Sequence, residues 1–114
     1  MEIAPNVYSV EVGQNFNNVY LIKGRRAAFF DSGFDTDESV DAALKMWESV
    51  GRPEVEAIVV SHRHADHSGG ARRLANATGG VIVCNPTEKG PIESEITKTN
   101  IGQTVAEGET LDLG

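Results

Sequence analysis

The sequence is short of cysteine, of basic residues and of long apolar runs, and each shortage limits what the protein can be. Cys84 is the single cysteine among 114 residues, so no disulfide forms within the chain, which fits a reducing compartment. No apolar run approaches the roughly 18 residues that a membrane span needs. Ten basic residues face 17 acidic ones, and the net charge of -7 argues against a nucleic acid partner.

The rest of the composition is ordinary. Hydrophobic residues make up 39% and charged residues 24% of the chain, which is typical of a globular protein. We therefore expect residues 1–114 to form a single domain. The first five residues show no basic segment followed by an apolar stretch, so we expect no signal peptide and a cytoplasmic location with no membrane partner.

Alternating apolar and polar residues predict an antiparallel meander in the first part of the chain. Its three strands are expected at residues 6–12, 18–23 and 27–30, with turn-forming residues between them.

A helix is predicted over residues 37–49, where apolar side chains recur at helical spacing. Asp35 and Glu38 suggest a capping box at its start, and Gly51 lies just past its end.

The next part of the chain alternates between strand and helix patterns. A β-branched run at residues 55–60 predicts a buried strand, residues 71–77 a short helix, and residues 81–84 another strand. That order implies parallel pairing and an α/β fold with a mixed sheet. Residues 85–104 fit a loop or a short lid helix, and residues 110–113 could open one more strand.

All three histidines of the chain lie in residues 62–67, which read His-Arg-His-Ala-Asp-His. Chance would produce this pattern on the order of once in ten thousand chains of this composition. The motif directly follows the buried strand 55–60, and ligand sites of α/β sheets lie at the carboxyl ends of strands. Neutral imidazole and carboxylate suit zinc, and they suit iron or manganese less selectively. The pattern therefore predicts a metal site.

The spacing of the four donors favours two adjacent metals, since four ligands within six residues cannot easily surround one ion. His62 and His64, two residues apart, can point the same way in an extended segment. Once the loop turns, Asp66 and His67 then point in a different direction from His62 and His64, so each pair of donors can bind its own metal.

The motif, with Ser61 before it and Ser68, Gly69 and Gly70 after it, resembles the metallo-β-lactamase-fold hydrolases, whose signature is His-x-His-x-Asp-His. The segments 18–22 and 30–33 are also similar to that superfamily, as are the order and lengths of the elements. The short form of the motif looks closer to the generic and glyoxalase II-like members than to dedicated lactamases.

The resemblance implies an αββα sandwich around a two-metal site. It implies that His62 and His64 hold the first metal, and that Asp66 and His67 hold the second. A hydroxide whose pKa the metals lower would attack an ester, thioester or lactone, and Asp66 would also act catalytically by orienting the nucleophile and moving a proton. Asp31 and Ser61 are expected to support the ligands from outside the metal shell.

The resemblance covers only the amino-terminal half of that fold, which implies one mixed sheet with helices on one face. The superfamily supplies further histidine and aspartate ligands later in the chain, but no histidine follows His67 and Asp112 is the only later aspartate. The chain is therefore a fragment, one piece of a split protein, or one subunit of a homodimer. An exposed half-sandwich favours self-association.

Three functions stay open at this point. The first is a hydrolase acting on a small-molecule substrate with one or two zinc ions. The second is a non-catalytic metal-binding module that self-associates, and the third is an iron-dependent oxygenase of the same superfamily.

Several residues near the motif also have two interpretations. Arg72 and Arg73 bind an anionic substrate or lie on a solvated helix face, and Gly69 and Gly70 receive an anion or permit a close backbone approach. Cys84 is expected to be a small core residue.

Overall fold

The structure, a computed structural model, describes residues 2–12, 17–60, 69–84 and 103–104. Its strands form one sheet in which the spatial order is the order of the chain. The strands are β1 (Glu2–Ala4), β2 (Val7–Val12), β3 (Asn17–Lys23), β4 (Ala27–Phe30), β5 (Val55–Val60), β6 (Val81–Cys84) and β7 (Gln103–Thr104). The helices are α1 (Asp37–Ser49) and α2 (Ala71–Thr78).

The sheet is mixed, as the sequence predicts. Strands β1 to β4 pair antiparallel, and β4 to β7 pair parallel. The two crossovers β4–α1–β5 and β5–α2–β6 run in the same direction along the sheet, so right-handed connections place both helices on one face. Within the described ranges, neither helix has the length and apolar character that crossing a bilayer would need.

The main core lies between this face of the sheet and the two helices. Its largest fully buried side chains come from β3, β4, β5 and α2, so the core binds the meander to the parallel part of the sheet. They include Phe29, Leu21, Ile58 and Leu74.

The opposite face carries two rows of apolar side chains that run across β3, β4, β5 and β6. The strand registers align four residues in each row. The first row is Ile22, Ala28, Ala57 and Val81, and the second is Tyr20, Phe30, Val59 and Val83. The small members and Val83 are buried, whereas Ile22, Phe30 and Val81 remain 37%, 40% and 42% exposed. We call these eight residues the apolar rows.

Two local predictions from the sequence are wrong. The helix cap is Thr36 rather than Asp35, because Thr36 has an extended backbone and its hydroxyl accepts from the Ser39 N–H at 3.2 Å. Residues 103–104, expected in a loop or lid helix, pair with β6 as β7. The structure also adds β1, which the sequence analysis omits. The strand predicted at 110–113 lies outside the described residues.

Replacing Phe29 should test the position of the core. Phe29 is fully buried between the sheet and the helices, so Phe29→Ala should lower the free energy of unfolding by about 3–5 kcal/mol through lost burial and a cavity. Urea denaturation followed by circular dichroism measures this loss. The matched control Ile3→Ala, on the edge strand β1 and 54% exposed, should cost less than about 1 kcal/mol. Equal losses in the two variants would contradict the described core.

Candidate metal centre

The predicted metal ligands lie in a segment that the structure does not describe. Residues 61–68 are outside the described ranges, and with them Ser61, His62, His64, Asp66 and His67. The structure instead fixes the residues on either side of the motif, since β5 ends at Val60 and α2 follows Gly69 and Gly70. The described part of the site therefore consists of its two ends and the segment that contacts them.

The motif begins at the edge of the sheet where three parallel strands end. Phe30 of β4 is in register with Val59 of β5, and Val60 is in register with Cys84 of β6. The carboxyl ends of these strands therefore lie side by side at one edge of the sheet, which is where the ligand sites of α/β sheets lie. The donor set of three imidazoles and a carboxylate begins two residues after Val60 and suits zinc.

Asp31 lies at this same edge, directly after β4. Its side chain is buried to 6% exposure, and its backbone adopts φ of 63°, which is uncommon for a residue with a side chain. Its N–H donates to the Val59 carbonyl over 2.6 Å. The sequence prediction that Asp31 supports the ligands stays a prediction, but its backbone is tied to the strand that leads into the motif.

The other end of the motif is held by a close contact between two backbones. The Gly70 N–H donates to the Gly33 carbonyl at 3.2 Å. A Cβ at residue 70 would collide with the Ser32 carbonyl oxygen and lie 3.1 Å from that of Phe34. Gly70 is therefore needed for close backbone approach, and its N–H is already used by Gly33 rather than offered to an anion. We call this contact the Gly70 seam.

The segment that forms the seam is itself fixed by the start of α1. The Phe34 N–H donates to the Ser39 hydroxyl at 3.0 Å. Gly33 has φ of +66°, and a Cβ there would meet both Ser39 Oγ and, at 2.9 Å, Val12 Cγ2. Among the described residues, no buried side-chain nitrogen or oxygen lacks a hydrogen-bond partner. The seam therefore rests on a fully bonded support.

Arg73 adds an ion-pair connection between α2 and the start of α1. Its Nη2 donates to Asp37 Oδ1 at 2.5 Å, and its Nη1 lies 3.6 Å from Asp35 Oδ1. The hydrogen bond to Asp37, more than any other contact, raises the pKa of the Arg73 guanidinium above its usual value. Arg73 is thus engaged with protein carboxylates, while Arg72 is exposed and forms no ion pair with the described residues.

One other sequence prediction concerns a described residue. Cys84 is buried at the end of β6 within the main core, as expected for a small core residue. In the described ranges, no group of three or more histidine, cysteine, aspartate or glutamate side chains could hold a metal. The candidate ligands therefore remain those of residues 62–67.

The close backbone approach that the sequence offered as one interpretation of Gly69 and Gly70 is present at Gly70. Sequence reasoning missed the partners of that contact and the ion pairs of Arg73. Glycine at both 33 and 70 was a usable signal for the seam, because both residues flank segments with assigned roles. No comparable signal marked Arg73, since its partners lie 36 and 38 residues earlier in the chain.

Comparison with known families and structures gives a consistent result. The family model described as the metallo-beta-lactamase superfamily matches residues 12–108. The Thermosynechococcus vestitus protein described as "Putative diflavin flavoprotein A 1" is 29% identical over 109 residues, which are 94% of this chain and 19% of that protein.

Solved structures agree in fold. A HARLDQ-motif mutant of the metallo-beta-lactamase from Cronobacter sakazakii matches 100% of this chain and 50% of its own, with a TM-score of 0.84 and 19% identity. MEM-A1, a subclass B3 metallo-beta-lactamase from a soil metagenome library, matches 96% of this chain and 46% of its own, with a TM-score of 0.79 and 23% identity. The chain thus spans about half the length of these structures.

The Gly70 seam can be tested by adding one methyl group. Gly70 has φ of -87°, so alanine fits the backbone and Gly70→Ala should be harmful only through its contact with Ser32 and Phe34. We expect a loss of about 1–3 kcal/mol in the free energy of unfolding, measured by urea denaturation.

The matched control for this prediction is Gly79, which has φ of +81° and nothing within 4 Å of its Cβ position. Asparagine tolerates that backbone, so Gly79→Asn should cost less than about 1 kcal/mol. A Gly70→Ala protein as stable as the parent would show that the seam is not tight.

Proposed function

The chain belongs to the metallo-beta-lactamase superfamily, and from this premise we propose that it carries the metal-binding loop of a metal-dependent hydrolase. The observation that carries the proposal is the edge of the sheet at which β5 ends, because residues 62–67 follow β5 in the chain. Three imidazoles and a carboxylate follow β5 at the edge where β4, β5 and β6 end together. Both ends of that segment are anchored, by β5 on one side and by the Gly70 seam on the other.

We assign His62 and His64 to a first metal ion, and Asp66 and His67 to a second. Zinc is the metal whose preferences this donor set fits best, and iron and manganese accept the same donors less selectively. Asp31, which is buried and hydrogen-bonded through its backbone N–H to Val59 of β5, is proposed to support the loop from outside the metal shell. Ser61 is proposed to support the ligands in the same way.

When bound, the metal supplies a Lewis acid that lowers the pKa of a coordinated water to near neutrality. Asp66 is the proposed catalytic residue, since a carboxylate beside the substrate can accept a proton from the nucleophile and return it to the leaving group. A small ester, thioester or lactone is the proposed substrate class. A nucleic acid substrate is disfavoured because the chain carries a net charge of -7.

Metal content and hydrolysis test this proposal together. The chain should bind one or two zinc ions. Loss of a residue that only orients a ligand weakens metal binding by roughly 10- to 100-fold. His64→Ala removes a ligand itself, so it should weaken zinc binding by more than this. Asp66→Asn should reduce thioester or aryl ester hydrolysis by about 10²–10⁴-fold. Zinc is measured by a competing chromophoric chelator, and hydrolysis by product absorbance.

A matched control is Asp41→Asn, an exposed carboxylate on α1 that should change neither quantity. A His64→Ala protein that keeps full zinc affinity would overturn the metal assignment. Zinc binding without chelator-sensitive turnover would instead leave a non-catalytic metal-binding module.

A redox function is the second candidate, and one observation favours it. The relative with 29% identity is named a flavoprotein, and flavins carry hydride and electron chemistry. Because this chain covers only 19% of that protein, the flavin can be bound elsewhere in it. Iron rather than zinc in the purified chain, with oxygen consumption in place of hydrolysis, would select this candidate.

We also propose that the chain forms a homodimer through the apolar rows. Three side chains there, Ile22, Phe30 and Val81, keep 37–42% of their surface exposed. The rows contain no charged residue, so two copies of net charge -7 can meet there without like charges inside the contact. A two-fold axis would bury the same apolar surface on both copies.

Sedimentation tests the dimer. The parent chain should sediment as a dimer, and Phe30→Glu should shift it to monomer by placing a charge in the contact. Ile3→Glu, on the edge strand β1 and 54% exposed, should leave the dimer unchanged. A parent chain that stays monomeric at every concentration would overturn the proposal and favour a further segment of protein as the cover.

A further inference from the structure

The two ends of the metal-binding loop are anchored with unequal strength. Val60 ends a strand that pairs with strands on both sides, and its side chain is 1% exposed within the main core. The other end leads into α2, which has only eight residues and no side-chain cap at Gly70. Helices this short depend on tertiary contacts for their position.

Few contacts hold α2 in place. Ala71 and Leu74 are its two buried residues, and the Gly70 seam fixes its first turn. The described side chains offer one ion-pair connection from α2 to another element, and that is Arg73 with Asp35 and Asp37. The Arg73 side chain is 33% exposed and contacts two carboxylates, of which Asp35 is 58% and Asp37 90% exposed. Solvent screens these ion pairs, so their effect on α2 is expected to be modest.

The partners of Arg73 belong to the segment that also reaches the other end of the loop. Residues 31–37 begin at Asp31, whose N–H is bonded to Val59, and end at Asp37 in the first turn of α1. Asp37 is held there by the favourable end of the helix dipole as well. Arg73 therefore completes a connection from β5 through residues 31–37 to α2.

We propose that Arg73 is a positioning residue for the metal-binding loop, acting through its ion pairs with Asp35 and Asp37. By fixing α2 against the start of α1, it sets where the carboxyl end of the loop enters the helix. A loop whose ends are fixed loses less conformational freedom when its ligands gather around a cation. The proposal rests on the proposed metal binding by residues 62–67 and concerns affinity for the metal, not the chemical step.

The test is zinc affinity of Arg73→Met, a variant that keeps the apolar stem and removes the charge. We expect the zinc dissociation constant to rise about two- to fivefold, the range expected for a partly exposed ion-pair network. Arg72→Met, its exposed neighbour on the same helix, should bind zinc like the parent. Arg73→Lys keeps the charge without the forked geometry and should recover part of the loss.

The same experiment separates positioning from general stability. Asp37→Asn should weaken zinc binding similarly, and combining it with Arg73→Met should add little, because both changes remove one network. Thermal unfolding of the metal-free proteins is the second measurement. A lower unfolding temperature with an unchanged zinc dissociation constant would overturn the proposal, since Arg73 would then serve the fold alone.

His64→Ala, measured alongside, distinguishes the two levels of inference. If His64→Ala abolishes zinc binding while Arg73→Met binds like the parent, the positioning role fails and the metal site stands. If His64→Ala binds zinc normally, the metal assignment itself fails. If both variants lose affinity in the expected order, both inferences are supported.

Discussion

The contact of the Gly70 backbone with the carbonyls of Ser32 and Phe34 is the constraint on which the site depends. It leaves no room for a side chain at residue 70 and commits the Gly70 N–H to Gly33. Because α2 begins one residue later, this contact decides where the helix starts relative to β4. The segment between β5 and α2, which holds the chain's three histidines, must span whatever gap that contact leaves.

Much of this fold follows from local patterns. The strands at 55–60 and 81–84 and the helix at 37–49 were predictable to the residue, because their apolar spacing is regular and glycine or proline bounds them. The failures have local causes. The three residues of β1 are all exposed, so they show no alternation of buried and exposed positions that would predict a strand. Thr36 rather than Asp35 is the helix cap because its extended backbone lets its side chain accept from the Ser39 N–H. The pair 103–104 becomes a strand only by joining β6.

The candidate site divides in the same way. The motif was visible because rare residue types cluster within six positions, and a cluster in sequence is a cluster in space. The supporting role of Asp31 follows from the resemblance of the segment 30–33 to the superfamily, and it stays a prediction. A close backbone approach at Gly70 could be offered from the sequence, but the contact partners of Gly70 and Arg73 could not be identified, since they lie more than 30 positions away. Such contacts exist only once the crossover through α1 has been made.

The sequential strand order has a consequence for how the protein is made. Every described strand of the sheet lies beside its predecessor in the chain, so none of these strands must be inserted between two earlier ones. The antiparallel pairs form between strands close in sequence, whereas the parallel pairs β4–β5 and β5–β6 can form only after a crossover helix has been made. During synthesis from the amino terminus, each new strand can therefore pair with the edge formed by the preceding strand. Residues 62–67, which hold the histidines, are synthesised after strands β1 to β5.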